Sequence, residues 1–351
     1  MRRLFATLVL VFLNTILLSN LSPAWAQWQP QQSGVDVQLR GISAVSRKVA
    51  WASGAKGTVL RTLDAGNHWE KLTVIGAEGL DFRDIQAFDE KAALVLSIGP
   101  GDQSRIYKTS DAGQHWEPQF TNHDPKAFYD CFAFWDRNHG IAFSDSVDGR
   151  FPLLILNGQD WGPLDPHALP PALPNEGGFA ASGTCIATAG KSDAWFVTGG
   201  PAARVFHSAD RGHNWTVVNS PILSGAPTQG IFSVAFWDHT HGVIVGGDYN
   251  NPKGQEKNAA FTTDSGKSWT LAARGPQGYR SAVAFVPHAA PPLLVAVGTT
   301  GSDYSLDGGN TWQPFDAEDY NAVSFAGPEA GWAVGPKGRI ARFTGILKTA
   351  K

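Results

Sequence analysis

One phrase recurs five times in this chain of 351 residues. The copies are TLDAGNHW (Thr62 to Trp69), TSDAGQHW (Thr109 to Trp116), SADRGHNW (Ser208 to Trp215), TTDSGKSW (Thr262 to Trp269) and SLDGGNTW (Ser305 to Trp312). The pattern is Ser/Thr-x-Asp-x-Gly-x-x-Trp. A degenerate sixth copy, LNGQDW (Leu156 to Trp161), keeps the tryptophan and loses the Asp-x-Gly order. Successive tryptophans lie about 43 to 54 residues apart, a period that marks propellers and solenoid arrays.

Around each box the segments keep one order. An alternating apolar run comes first: GISAV, DIQAF, DCFAF, TCIAT, FSVAF, SAVAF and NAVSF. A short polar turn follows, then a second run ending in small residues, such as VAWASG or AWFVTGG. A third run carries the box, and a fourth starts at the tryptophan. Period-two alternation broken by turn clusters predicts short antiparallel strands. Seven such units predict an all-β fold, a seven-bladed β-propeller with four-stranded antiparallel blades. The last unit, GRIARFTGILK, runs out before a tryptophan. Trp28-Gln29-Pro30 matches Trp312-Gln313-Pro314, so the strand near Trp28 is expected to complete the seventh blade and remove its open edge.

The box suits a tight turn between the third and fourth strands. Asp accepts hydrogen bonds from N–H groups two residues on, Gly supplies positive φ, and Trp wedges between sheets. Asp64, Asp111, Asp210, Asp264 and Asp307 are therefore read as structural. Equivalent carboxylates on five blades do not converge on one substrate, whereas acid–base chemistry needs its groups around a shared point.

The N-terminus reads as an export signal. Arg2 and Arg3 precede an apolar run from Leu4 to Leu18, and Ala24-Trp25-Ala26 forms a small-x-small cleavage site. Residues 1–26 are expected to be removed, leaving one propeller domain over 27–351 in the periplasm or outside the cell, with no further segment able to span a bilayer. Cleavage takes the formal charge from −3 to −5 by removing the two arginines. A mildly acidic domain without a basic stripe excludes nucleic acid as the expected partner. The mature chain has no methionine and two cysteines, Cys131 and Cys185, at equivalent positions in neighbouring units. They are read as two buried thiols packing as small hydrophobes, with a disulfide as the alternative. The scattered histidines, His139, His207, His213, His239 and His241, are read as turn residues. No cofactor or metal is expected.

The boxes resemble those of sialidases and other BNR-repeat, Asp-box proteins. Phrases such as FWDRNHGIAFSD, GKSDAWFVTGG and AGWAVGPKGRIARFTG resemble the photosystem II stability/assembly factor family over the whole mature chain. That resemblance implies a non-catalytic scaffold, a monomer that binds a protein partner such as a membrane-protein intermediate. The sialidase branch would imply an Arg-x-Pro ahead of the first unit. Arg150-Phe151-Pro152 has those letters but lies in the third.

Propellers bind at a mouth of the central channel. Arg40, Arg83, Tyr129, Arg280 and Tyr320 stand at the starts of first strands, with Asp84 and Asp130 nearby. Three arginines on one ring would suit an acidic peptide, a carboxylate or a phosphate. The alternative is structural pairing with Asp84 and Asp130. Arg150 in SDSVDGR and Tyr249 in GGDYNNPKGQEK lie in loops that break the repeat and are added as partner-binding candidates. The rival function is a carbohydrate-active enzyme using Asp145, Asp148 or Asp248. The insert from Pro163 to Gly178 is expected to be a surface excursion or a partner contact.

Overall fold

The computed structural model describes residues 27–345 and contains seven antiparallel sheets. Their innermost strands are Leu39–Ala44, Asp81–Ala87, Tyr129–Asp136, Ile186–Ala189, Ala226–Phe236, Ala282–Val286 and Ala322–Gly327, which define blades 1 to 7. Each touches the innermost strand of the next blade, and the seventh touches the first, so the ring is closed. The export signal read in residues 1–26 lies outside the described residues.

Blade 1 shows why the alternation has the form it does. Its second and third strands, Ala50–Gly54 and Thr58–Thr62, are buried at every position, because both faces meet neighbouring blades. Its fourth strand, Glu70–Thr73, buries only Leu72. The ring closes as the sequence predicts. Trp28–Gln31 pairs antiparallel with Ile340–Phe343, Trp28 opposite Phe343. The Trp28 indole is 2 % exposed, lies among Phe315, Tyr320, Phe325 and Phe343, and donates its N–H to Ser302 Oγ of blade 6 at 3.0 Å.

Side chains stitch the innermost strands together around the channel. Ser324 Oγ accepts from the Ala44 N–H, Ser43 Oγ from Ala87, Asp84 Oδ2 from Phe132 and Ser233 Oγ from Val283, all at 2.8 to 3.0 Å. Thr188 Oγ1 donates to the Phe134 carbonyl and Ser281 Oγ to that of Asn321, both at 2.7 Å. The Val234 N–H meets the Thr184 carbonyl at 3.0 Å. Every blade junction thus carries a hydrogen bond in a place where an unmet N–H or C=O would be costly.

The boxes form one turn five times, with the roles of two residues exchanged from expectation. In blade 1 the Thr62 hydroxyl accepts from the N–H groups of Asp64 and Gly66 and donates to Asp64 Oδ1. Asp64 Oδ1 reaches farther than expected and takes the N–H of His68, four residues on, at 2.9 Å. The same bonds recur around Asp111, Asp210, Asp264 and Asp307. Two successive residues take positive φ, Ala65 at 66° and Gly66 at 85°. A Cβ on the box glycine would also strike the preceding blade: at Gly113 it would lie 2.6 Å from Leu72, and at Gly309 2.5 Å from Val243. Blade 3 lacks the box because its hairpin is shorter, with Gly158 and Gln159 alone between the paired Asn157 and Asp160.

Cys131 and Cys185 form a disulfide with Cα atoms 6.1 Å apart. This corrects the free-thiol reading. The strands entering blades 3 and 4 bring equivalent positions close enough to bond, within the usual Cα range for a bridge.

Candidate functional site

A pocket of about 510 Å³ opens at the mouth where the innermost strands of blades 1 and 2 begin. Arg40 and Arg83 stand on one side. Phe179, Phe232, Tyr249 and Tyr279 form an aromatic shelf on the other, with Phe179 stacked on Phe232 at 3.8 Å and Tyr279 edge-on to Phe232 at 4.7 Å. Tyr249 is 47 % exposed at the rim, whereas Tyr279 is buried.

The two guanidiniums differ in their partners. Arg83 donates from Nε to Asp81 Oδ2 at 2.9 Å. Among the described residues Arg40 has no carboxylate partner. The Gln38 amide oxygen, once the amide is turned to accept, takes Arg40 Nε and Nη2 at 3.3 and 3.2 Å. Burial, and then the like charge of Arg83, pull the Arg40 guanidinium down to about 10, so it stays charged at neutral pH in a place that favours an added anion.

A strap crosses this mouth. Most of the insert from Pro163 to Gly178 lies at the surface, as expected, and its end leads into the strap. Glu176 anchors it in a buried pair with Arg204, and residues 177–183 then run over the channel. Arg83 Nη1 donates to the Ala180 carbonyl at 2.8 Å and Arg40 Nη1 to that of Ala181 at 3.2 Å. Ser182 Oγ donates to the Ser281 carbonyl of blade 6 at 2.9 Å. Under the strap lie three carboxyls of the inner strands and the loop beside them. Asp145 Oδ1 takes the Gly178 N–H at 2.7 Å. Asp84 and Asp130 are 7 % and 1 % exposed, and Asp130 Oδ2 has no hydrogen-bond partner.

The expectation of three arginines on one ring is corrected by Arg280. It is 1 % exposed and turned into its own blade, where Nε donates to Asp303 Oδ2 at 2.7 Å and Nη1 to Thr300 Oγ1 at 2.9 Å. Among the described residues Asp84 and Asp130 form no direct ion pair with the arginines, so the proposed pairing is not seen; Arg83 draws on Asp130 from nearby, but burial leaves both carboxyls with raised proton affinity. Tyr129 is buried against Phe120, and Tyr320 is 2 % exposed against Trp28. Arg150 holds the insert by donating to the Leu169 carbonyl at 3.1 Å. Of the partner-binding candidates, Arg40, Arg83 and Tyr249 line the pocket.

The three carboxylates named for the enzymatic alternative do not line it. Asp148 is exposed and pairs with Lys126 at 3.0 Å. Asp248 closes its own loop, accepting from the Asn250 N–H at 2.9 Å. Asp145 is covered by the strap. The pocket's carboxylate is Asp319, ion-paired with Arg339. Glycoside hydrolysis needs two carboxyls flanking one bond, and this pocket does not supply them. Sequence reasoning missed Phe179, Phe232 and Tyr279. Their signal, aromatic residues at strand starts and in a Gly-rich insert, does not differ from that of core residues.

No protein-family model matches the chain, and no curated protein does. Among solved structures it is similar to YCF48 from Cyanidioschyzon merolae, at 17% identity over 90% of this chain and 98% of that one, with a TM-score of 0.63. The WD40 β-propeller domain of Doa1 shares 12% identity over 91% and 97% of the two chains, with a TM-score of 0.62. An ancestral GH74 enzyme shares 13% over 90% of this chain and 46% of its own, with a TM-score of 0.60. At such identities the likeness speaks for the fold alone, and the fold it shares with them is the seven-bladed β-propeller.

Proposed function

We propose that this chain is an exported, monomeric, non-catalytic propeller that binds a protein partner as an assembly or stability scaffold, docking an acidic or carboxylate-bearing segment at the channel mouth. The observation that carries this is Arg40. A charged guanidinium without a carboxylate partner, beside a second arginine and an aromatic shelf, matches a peptide that brings both an anion and apolar side chains. The family resemblance of the strand phrases supports the same reading and suggests a membrane protein as the partner.

The test is affinity capture of the tagged chain from its own envelope fraction, against an Arg40→Ala/Arg83→Ala variant that keeps the parent's melting temperature. A membrane protein recovered with the parent and lost from the variant is the expected result. Equal recovery would remove the site. Release of reducing ends from a glycan by the parent would overturn the non-catalytic reading.

A further inference from the structure

The strap rests on the molecule in an unusual way. Three of its glycines lie directly on three carboxyl groups. A Cβ on Gly177 would come within 2.4 Å of Asp145 Oδ1, one on Gly178 within 2.9 Å of Asp130 Oδ2, and one on Gly183 within 2.3 Å of Asp84 Oδ1. With the strap in place Asp84 and Asp130 are buried and Asp145 is half-buried. Asp130 Oδ2 is left buried with no hydrogen-bond partner. An ionised Asp130 in that place would be a buried charge that the nearby Arg83 guanidinium and the backbone N–H groups of Asp145 and Ala180 offset only in part, and an ionised Asp145 would repel it. From above, the strap's own carbonyls occupy Arg83 and Arg40.

We infer that residues 177–183 form a proton-dependent strap, held down while Asp84, Asp130 and Asp145 are protonated and released when they ionise, which uncovers Arg40 and Arg83. The consequence for binding rests on the reading above. The latch itself does not.

The charged groups that face the latch fit this. Arg83 stands beside Asp130, paired with Asp81, and Arg40 stands beside Arg83. Glu176 is turned away onto Arg204. Once Asp130 is a carboxylate it competes with the Ala180 carbonyl for Arg83, and it repels Asp145. Burial pushes all three carboxyls up, Asp145 to about 6. Since Asp145 has the raised value in the closed form, its share of the proton-linked stability is complete below pH about 4 and is lost as pH rises through about 6.

The experiment is amide hydrogen exchange of the mature chain at pH 4.5 and 7.5, corrected for intrinsic exchange and followed in peptides covering 177–183. The Gly178 and Ala181 N–H groups, bonded to Asp145 Oδ1 and to the Phe179 carbonyl, report strap closure. Protection there is expected to fall at least tenfold at pH 7.5, while the box turns change little. Asp130→Asn/Asp145→Asn should keep the strap protected at both values. Gly178→Ala, whose Cβ would strike the Phe143 ring and then Asp130, should leave it unprotected at both. Equal protection of the parent strap at the two pH values would overturn the latch, as would a pH-dependent loss that persists in the folded double variant. Should that variant fail to fold, Asp145→Asn alone must halve the pH effect or more, or the idea fails. Each outcome is read without a partner, so it is separate from the fate of the binding proposal.

Discussion

The box turns and the mouth strap use the same residue to opposite ends. In the boxes, aspartates on the outer hairpins accept N–H and hydroxyl groups that favour the charged form. A side-chain hydrogen bond from His68 heads the causes that take Asp64 down to about 2, and the His115 N–H does the same for Asp111. Under the strap, Asp84, Asp130 and Asp145 lose water without gaining enough donors, and their proton affinity rises. The first arrangement occurs five times, and in each copy the aspartate takes its hydrogen bonds from its own hairpin. The second occurs once and draws on blades 1, 2, 3 and 6 together. A repeated fold can duplicate a turn as often as it needs; what occurs once has to be built from several blades at once.

This contrast has consequences in order of size. The largest belong to parts that occur once. Trp28→Ala empties an aromatic core position and opens the ring, and should cost about 3–5 kcal/mol. Chemical denaturation measures it, and a loss below about 1 kcal/mol would show that closure is not what holds the seventh blade. Replacing Cys131 and Cys185 by Ala frees a loop of 54 residues and should cost up to about 4 kcal/mol on the chain-entropy account. Next comes pH. Asp145, raised to about 6 in the native state, contributes stability that is complete below pH 4 and falls away towards pH 6, by about 2–3 kcal/mol for a shift of this size. The box aspartates have the opposite sign: depressed in the native state, they contribute above pH 4 and lose that contribution as pH falls towards 2. Melting temperature against pH should therefore peak near pH 4 in the parent, and Asp145→Asn should lessen the fall on the alkaline side, to which Asp84 and Asp130 also contribute, without changing the acid side. A variant that flattens the acid side instead would reverse the comparison. The smallest effect is a single box. Asp264→Ala removes hydrogen bonds to Ser268 and Thr262 and should cost about 1–2 kcal/mol. A cost like that of Trp28→Ala would mean the boxes are not independent.

The fold was legible because the constraint is written many times. Seven alternating runs share one order, and the missing last strand has its counterpart at Trp28, so blade count and closure follow from period alone. Strand position does not say where a side chain turns. Arg40, Arg83 and Arg280 occupy equivalent places, yet Arg280 turns inward to Asp303. The clue lay in that partner: an aspartate inside the GSDYS strand, which the structure buries completely, is met by Arg280. The strap was not legible at all. Its path from Glu176 across the channel depends on contacts between residues as far apart as Arg40 and Ala181, which no local period encodes.

The closure at Trp28 also fixes the order in which the molecule can be completed. Among the described residues the first strand to be synthesised, Trp28–Gln31, has no partner until the last one, Ile340–Phe343, exists. Through nearly the whole length of synthesis Trp28 stays without its pocket, and the innermost strand of blade 1 lacks the neighbour whose Ser324 meets the Ala44 N–H. A chain cut before residue 340 therefore cannot close this ring, and its Trp28 edge is left without the strand that covers it.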